Sequence, residues 1–254
     1  MSLSRRSPLL LVVVALLVLG AIAAAAGFGY LFLRGPAPAP VGLGASPGAS
    51  AAPFSAAPVP SGAASTLGSD GLDGTWTIDQ TIGSFSDFSD SFVGYRVSET
   101  FTSQKANVAV GRTPQVSGAL TVAGSSVTAV DITADLTRLK SDDDRRDGQL
   151  QRQAIQTGQF PTATFKLTTP IDLGSVPAEG QTIDATATGE LTLHGVTKVV
   201  QVPIQAQLSG DVVTVTGSIE IQFADYSIER PTSFLVLSIE DHGTMELQLH
   251  FRHG

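Results

Sequence analysis

Apolar and polar residues alternate with a period of two between Asp184 and Leu208, on both sides of the segment Leu193–Lys198. Because successive side chains of a β-strand point to opposite faces, the alternation predicts an antiparallel hairpin with one apolar and one polar face. The apolar face contains many small residues, and its members are Ala185, Ala187, Gly189, Leu191, Leu193, Val200, Val202, Ile204, Ala206 and Leu208. Whether that face surrounds packed side chains or a ligand is the functional question raised by the pattern.

The same period recurs from Thr75 to Phe251 and predicts at least eight strands, separated by turn-forming pairs such as Gly174-Ser175. That number of strands fits a closed barrel or a sandwich. The last strand is long and alternating, so both of its edges need partners, and pairing it with the strand of Trp76 would close the sheet. We therefore predict an all-β protein with antiparallel strands, and the pairing of its first and last strands favours a closed barrel over a sandwich.

One segment departs from the period of two. Ser141 precedes three aspartates and the stretch 145–156, in which Leu150 and Ala154 share a helical face. Ser141 can cap a helix, and the aspartates favour the positive end of the helix dipole. We predict a short helix over one end of the sheet. Its Arg145-Arg146-Asp147 group is either a solvated face or the source of an ion pair that fixes the helix to the barrel.

The N-terminal region predicts a membrane anchor. Arg5 and Arg6 precede Leu9–Leu33, which has 25 residues and no charge. At about 1.5 Å per residue this helix would be about 38 Å long, enough to cross a hydrocarbon core of about 30 Å. A cleaved signal peptide is the alternative, but its apolar stretch is typically about 7–15 residues. We predict a cytoplasmic segment 1–8, a single-pass anchor 9–33 and an extracytoplasmic C-terminal part.

Composition separates the remaining chain into a linker and a domain. Residues 34–71 consist almost wholly of Pro, Ala, Gly and Ser, which predicts a disordered or extended linker, and residues 72–254 form the predicted barrel domain. Residues 1–69 have three arginines and no acid, so the remaining 12 basic and 23 acidic residues give that part a charge of −11. Such a domain repels phosphate backbones, and we expect no nucleic-acid partner.

The residues available for chemistry are few. There is no cysteine, which excludes disulfides, thiolate metal sites and a cysteine nucleophile. The four histidines are His194, His242, His250 and His253. We interpret His194 as structural at a tight turn. His250 and His253 are an odd number of positions apart and face opposite sides of one strand, so the last three histidines do not form a good metal site. We therefore predict no metal, no cofactor and no catalysis. A lipid hydrolase or isomerase is the remaining enzymatic alternative.

Four ordered motifs resemble the YceI-like domain family. The segment Gly189–Lys198 looks like the hallmark of that family, and it follows Trp76–Asp79, Arg146-Asp147 with Leu150, and Phe160–Phe165 in the expected order. The resemblance covers residues 74–251. It implies an extended, lipocalin-like barrel of an exported protein, whose interior holds a polyisoprenoid or similar lipid. Many members have histidines after the first strand, whereas residues 91–99 have none here, so no headgroup or metal role of those histidines is expected.

Together with the resemblance, the inward phase of the strands predicts a cavity that is lined by small and apolar side chains and that binds a lipid. The alternatives are that an Ala- and Gly-rich chain uses small residues everywhere and that the aromatic residues are ordinary core. The predicted lining residues are Phe165, Phe223, Leu191, Ala187, Gly189, Ile132, Ala134, Val202, Ile219, Tyr95 and Phe160. We predict extracytoplasmic binding of a long apolar lipid, isoprenoid or quinone-like, for carriage, storage or sensing. The alternative is a non-catalytic adhesion or scaffold module with a packed core on a membrane stalk.

The anchor prediction is tested by immunoblotting membrane and soluble fractions with an antibody against the C-terminal domain. We expect a band of full-length mass, 26.2 kDa, in the membrane fraction. A shortened soluble product would instead identify residues 9–33 as a cleaved signal peptide.

Overall fold

The computed structural model describes residues 37–43, 72–232 and 236–254. The predicted anchor at 9–33 and most of the predicted linker lie outside the described residues. In the described ranges, no helix has the length and apolar character needed to cross a bilayer. The following description concerns the unit Pro38–Gly254.

The described residues contain thirteen strands, all paired antiparallel. Their bounds are β1 Gly74–Ile78, β2 Phe92–Phe101, β3 Ala106–Thr113, β4 Val116–Ala123, β5 Ser126–Asp135, β6 Lys140–Ser141, β7 Thr162–Leu167, β8 Ile171–Asp172, β9 Thr182–Leu193, β10 Val196–Ser209, β11 Val212–Gln222, β12 Val236–Ile239 and β13 His242–His253. Two 3₁₀ turns, Leu136–Arg138 and Phe223–Tyr226, follow β5 and β11.

Eight strands form a closed ring in the order β1-β4-β5-β7-β9-β10-β11-β13. Closure occurs where Trp76 and Ile78 of β1 pair with His253 and Phe251 of β13. The predicted closed barrel and the predicted pairing of the first and last strands are therefore confirmed. The preceding part of the same β13 edge pairs instead with β2, which continues into β3 and β6. Two different strands thus share one edge of β13.

The inward side chains near the closure form a tightly buried cluster. Trp76 and Phe251 are each 2% exposed and pack together with Leu120 and Leu249. The indole N–H of Trp76 donates a hydrogen bond of 3.0 Å to the carbonyl of Leu72, so the ring is buried without leaving its polar atom unpaired. This cluster fixes the end of the barrel at which the sheet closes.

The predicted short helix is confirmed over one end of the barrel. Helix α1 spans Asp144–Gln149 and continues as a π-helical turn over Leu150–Ala154. Leu150 and Ala154 pack into the core beside Leu136 and Leu139. Of the two alternatives for the Arg145-Arg146-Asp147 group, the ion pair is present, because Arg146 Nη2 lies 2.7 Å from Glu99 Oε1 on β2. The helix is therefore held by apolar packing, by the ion pair of Arg146 with Glu99 on β2 and by the pairing of Lys140 on β6 with Asp144.

The predicted cap of this helix is wrong. Asp143 is the capping residue, and its carboxylate accepts hydrogen bonds from the backbone N–H groups of Arg145 and Arg146 at 2.9 and 3.4 Å. Ser141 belongs to β6, where its hydroxyl donates a bond of 2.6 Å to the carboxylate of Asp147. The pairing of Ser141 with Gly111 of β3 keeps it in the sheet and moves the helix start by two residues.

A charged cluster is buried on the outer face of the barrel. Glu246 alternates along β13 with Met245 and Leu247, which face inward, yet its side chain is only 1% exposed. Its carboxylate lies 2.7 Å from Arg96 Nε and 2.7 Å from Arg112 Nη2. One buried carboxylate thus joins β13 to β2 and to β3 through two guanidinium groups.

Two chain segments cover this cluster. The guanidinium of Arg112 stacks on the rings of Phe88 and Phe92, at 4.4 and 4.3 Å from their centroids. The Arg96 guanidinium donates a bond of 2.6 Å to the carbonyl of Pro38. At this point the predicted linker is bound to the barrel. Removing water from the ion pairs strengthens their attraction but also makes an unpaired charge costly there.

Replacing Glu246 with alanine would leave the buried guanidinium of Arg112 and the largely buried guanidinium of Arg96 without their carboxylate. We expect Glu246→Ala to lower the free energy of unfolding by about 3–5 kcal/mol, the usual cost of breaking a buried pair from one side. The measurement is urea denaturation, and the matched control is Glu190→Ala on the exposed face of β9. We expect the control to change stability by less than about 0.5 kcal/mol. Equal effects of the two variants would contradict the structural role of the cluster.

Candidate functional site

The interior of the barrel contains an apolar cavity that we call the barrel chamber. It lies inside the closed ring, and its walls include Trp76, Leu120, Phe165, Val202, Ala206 and Leu249. The space available to the centre of a water-sized sphere is about 160 Å³. About 10–15 Å³ of such space accommodates one water molecule, so the chamber is large enough for a chain of several carbon atoms.

The walls of the barrel chamber are almost entirely hydrocarbon. Apart from the indole N–H of Trp76, which is bonded to the carbonyl of Leu72, the only polar side chains among the described lining residues are those of Thr164, Gln181 and Gln207. A buried water molecule needs two to four polar partners, which this surface does not supply over most of its area. The chamber therefore favours an apolar occupant over water.

A second cavity, the helix chamber, lies between α1 and the neighbouring strands. Its walls include Tyr95, Glu99, Arg146, Leu150, Phe223 and Ile228, and it offers about 130 Å³ by the same measure. Unlike the barrel chamber, it contains charged side chains, because Arg146 from α1 reaches Glu99 on β2. Burial alone would lower the pKa of the Arg146 guanidinium, but the charge of Glu99 and further carboxylates raises it above its ordinary value.

The two chambers adjoin each other at three side chains. Val93, Ala163 and Met245 line both of them. Ala163 is small, and the side chain of Met245 is unbranched and flexible. The two chambers are therefore neighbours in one interior bore, with the flexible Met245 side chain at their junction.

The structure places eight of the predicted lining residues on the chambers. Six of them line the barrel chamber and two line the helix chamber. The first group is Phe165, Leu191, Ala187, Ile132, Ala134 and Val202. The second group is Tyr95 and Phe223.

The other three predicted residues lie outside the described lining of both chambers. A Cβ atom on Gly189 would lie 2.5 Å from Cζ of Phe165, so this glycine makes room for a neighbouring aromatic ring. Ile219 packs against the cluster of Ala187 and Val202. Phe160 stacks edge-on against the His194 ring, with 4.4 Å between centroids.

His194 occupies the turn between β9 and β10, as the sequence predicts. Its φ is +52°, its Nδ1 lies 3.0 Å from the carbonyl of Tyr226, and its side chain is buried. Lys198 forms an exposed pair with Asp225. These contacts hold the turn against the 3₁₀ turn that follows β11, which is a structural role.

Several lining residues are absent from the predicted set. Leu120, Val122, Leu247 and Leu249 line the barrel chamber, and their alternation was the available indication of an inward phase. The pair of Glu99 and Arg146 had no comparable indication, because its members lie 47 positions apart. Their proximity follows from the docking of α1.

Among the residues that the structure describes, one group of potential metal ligands exists on the surface. The ligand atoms of Glu240, Asp241 and His242 lie within 4.8 Å of one another. His242 Nδ1 already pairs with the carboxylate of Asp241 at 2.9 Å, which raises the pKa of His242. None of the three lines either chamber.

A larger side chain at Ala206 tests whether the barrel chamber is empty or filled by packed side chains. Ala206 is partly exposed to the barrel chamber, between Ile183 and Val215 in the sheet register. If the space is empty, Ala206→Leu fills it and raises the free energy of unfolding of the delipidated protein by about 1 kcal/mol, after the rotamer entropy of leucine is subtracted. In a packed core the same change destabilises by about 1–3 kcal/mol. The control for this denaturation experiment is Ala129→Leu at an exposed position of β5.

Comparison with known proteins agrees with the fold. The chain matches the YceI-like domain over residues 76–251. A polyisoprenoid-binding domain from Saccharophagus degradans, implicated in plant cell wall breakdown, is 20% identical with a TM-score of 0.55, over 71% of this chain and 98% of that one. BcnA from Burkholderia cenocepacia is 18% identical with a TM-score of 0.50, over 68% and 98%. Curated proteins give no match. The resemblance predicted from the four motifs is confirmed, and this chain belongs to the YceI-like domain family.

Proposed function

We propose that this protein binds a long apolar lipid, isoprenoid or quinone-like, inside the barrel. The observation that supports the proposal is the barrel chamber itself, a cavity inside a closed ring of strands with almost purely hydrocarbon walls. The similar domain from Saccharophagus degradans is described as polyisoprenoid-binding, which agrees with this use of the fold.

Simple energetics favour a long chain over a short one. Each buried methylene contributes about 0.8 kcal/mol, so about ten of them supply about 8 kcal/mol, equivalent to a micromolar complex. The loss of translational and rotational freedom on association offsets several kcal/mol of that gain. A stable complex in an apolar bore therefore needs a chain that extends through much of its length.

We further propose that binding occurs without catalysis. Nucleophilic or general-base chemistry needs a titratable group with a matched pKa near the reacting atom. None of the histidines lines either chamber in the described part of the chain. Of the three charged residues in the described lining, Glu99 and Arg146 neutralise each other, and Glu229 is exposed. The surroundings of the cavity suit retention of a lipid for carriage, storage or sensing.

The proposed location is the outer side of a membrane. Its support is the uncharged stretch 9–33 behind Arg5 and Arg6, which matches an anchor with positive residues inside. A membrane-held lipid-binding barrel would have its ligand source close by.

The adhesion alternative expects a broad exposed apolar patch. The four large apolar side chains that are exposed in the described part of the chain are Val108, Val176, Val199 and Leu237. They lie on β3, on the loop before β9, on β10 and on β12. This scatter does not favour a binding patch for a protein partner.

Lipid bound in the bore is identified by comparing two purified full-length variants. Ala206→Phe places a ring in the barrel chamber, whereas Ala129→Phe places the same ring at an exposed position. We expect organic extracts of wild-type protein and Ala129→Phe to contain the same lipid in near-stoichiometric amount by mass spectrometry. We expect at least a severalfold lower amount from Ala206→Phe, since its ring occupies the space of the chain.

Detergent and membrane lipids that adhere to the protein surface would appear equally in all three extracts. Only the difference in lipid amount between Ala206→Phe and the other two proteins therefore measures lipid bound inside the barrel. Equal lipid content in Ala206→Phe and wild type would contradict the proposed function. So would the absence of any extractable long-chain lipid.

A further inference from the structure

The helix chamber combines an apolar wall with one polar group that has no partner. The ring of Tyr95 lines this chamber, and its hydroxyl oxygen is buried without a hydrogen-bond partner. An unpaired buried hydroxyl is costly, since it has lost its bonds to water. Buried polar groups nearly always have a hydrogen-bond partner, so the free hydroxyl of Tyr95 in the wall of a cavity requires an explanation, and a ligand that fills the cavity supplies one.

The position of Tyr95 is fixed by its neighbour in the sheet. Gly111 of β3 pairs with Tyr95, and a Cβ atom at Gly111 would lie 2.4 Å from Cε1 of the tyrosine ring. The ring therefore lies directly over the glycine backbone and has little freedom to turn towards another protein acceptor. Burial raises the pKa of Tyr95, so the phenol stays protonated at physiological pH and acts as a donor.

The charges around this chamber do not suit an anion. Arg146 is occupied by Glu99 and by Asp142, and Asp147 of the same helix has a buried carboxylate. Glu229, an exposed residue, also borders the chamber and adds to the negative charge near it. Lys140 is mostly exposed and pairs with Asp144. A phosphate or carboxylate headgroup would meet this excess of carboxylates after losing its own water, which is unfavourable.

We infer that the bound lipid lies with its polar end in the helix chamber, and that this end is an uncharged hydrogen-bond acceptor, such as a hydroxyl or carbonyl, held by the hydroxyl of Tyr95. The inference rests on the proposed function and adds the chemical class of the headgroup. The hydrocarbon chain then extends past Val93, Ala163 and Met245 into the barrel chamber.

Three probes with one hydrocarbon skeleton test the inference: phytane, phytanol and phytanyl phosphate. Affinities for the full-length, delipidated protein are measured by competition with radiolabelled phytanol. We expect phytanol to bind at least about tenfold more tightly than phytanyl phosphate, because the carboxylates repel the charged head. We expect Tyr95→Phe to weaken phytanol binding about threefold to tenfold, the loss of one hydrogen bond, and to leave phytane binding unchanged.

The matched control is Tyr226→Phe. Tyr226 also has a buried hydroxyl without a partner, but it lines neither chamber. We expect this variant to bind all three probes as wild type does. Both substitutions remove only an unpaired hydroxyl, so both proteins should keep at least wild-type thermal stability.

Each outcome separates the headgroup inference from the proposed function. If phytane and phytanol bind but Tyr95→Phe affects neither, or affects both equally, the headgroup contact is wrong. Tighter binding of phytanyl phosphate than of phytanol would contradict the uncharged headgroup. If none of the three probes binds wild-type protein, the proposed function itself fails.

Discussion

The shared edge of β13 is the constraint on which the interior of this protein depends. At one end of the strand, β1 occupies that edge and closes the ring, and the preceding part pairs with β2. A barrel of about eight strands has room for side chains or for one small ligand. Strand β2 is not part of the ring, and it extends the sheet from β13 to β3 and β6. The helix chamber lies between this extension and α1, where a simple ring would have no cavity.

In this arrangement, β13 has apolar side chains on its inner face and a buried ion-pair cluster on its outer face. The inward side chains of β13, Met245, Leu247 and Leu249, line the cavities, while Glu246 between them ties the same strand to Arg96 and Arg112. The buried ion pairs hold β2 and β3 where they meet the ring. The outer cluster thus supports the geometry of the apolar interior without touching it.

The sequence predicted the strands and their inward faces because alternation records which face of each strand is apolar, and the four motifs of the family added the barrel. It could not locate the empty space along the bore: Gly189 and Ala187 share one phase, but only Ala187 borders the cavity, since the ring of Phe165 occupies the space at Gly189. Phe160 lies in a turn, where a period of two has no meaning. Glu246 lies on the polar face of β13. Its burial depends on Arg96 and Arg112, which are more than a hundred positions away in the sequence, so no local pattern could indicate it.

The central claim is that a hydrocarbon chain occupies the barrel chamber while its polar end stays near Tyr95. Crystals of the protein grown with a long-chain alcohol that has bromine at its far end would test this directly by anomalous diffraction. The account predicts one bromine peak inside the ring, between Leu120 and Val202. A bromine peak confined to the outer surface, or continuous side-chain density through the chamber, would contradict it.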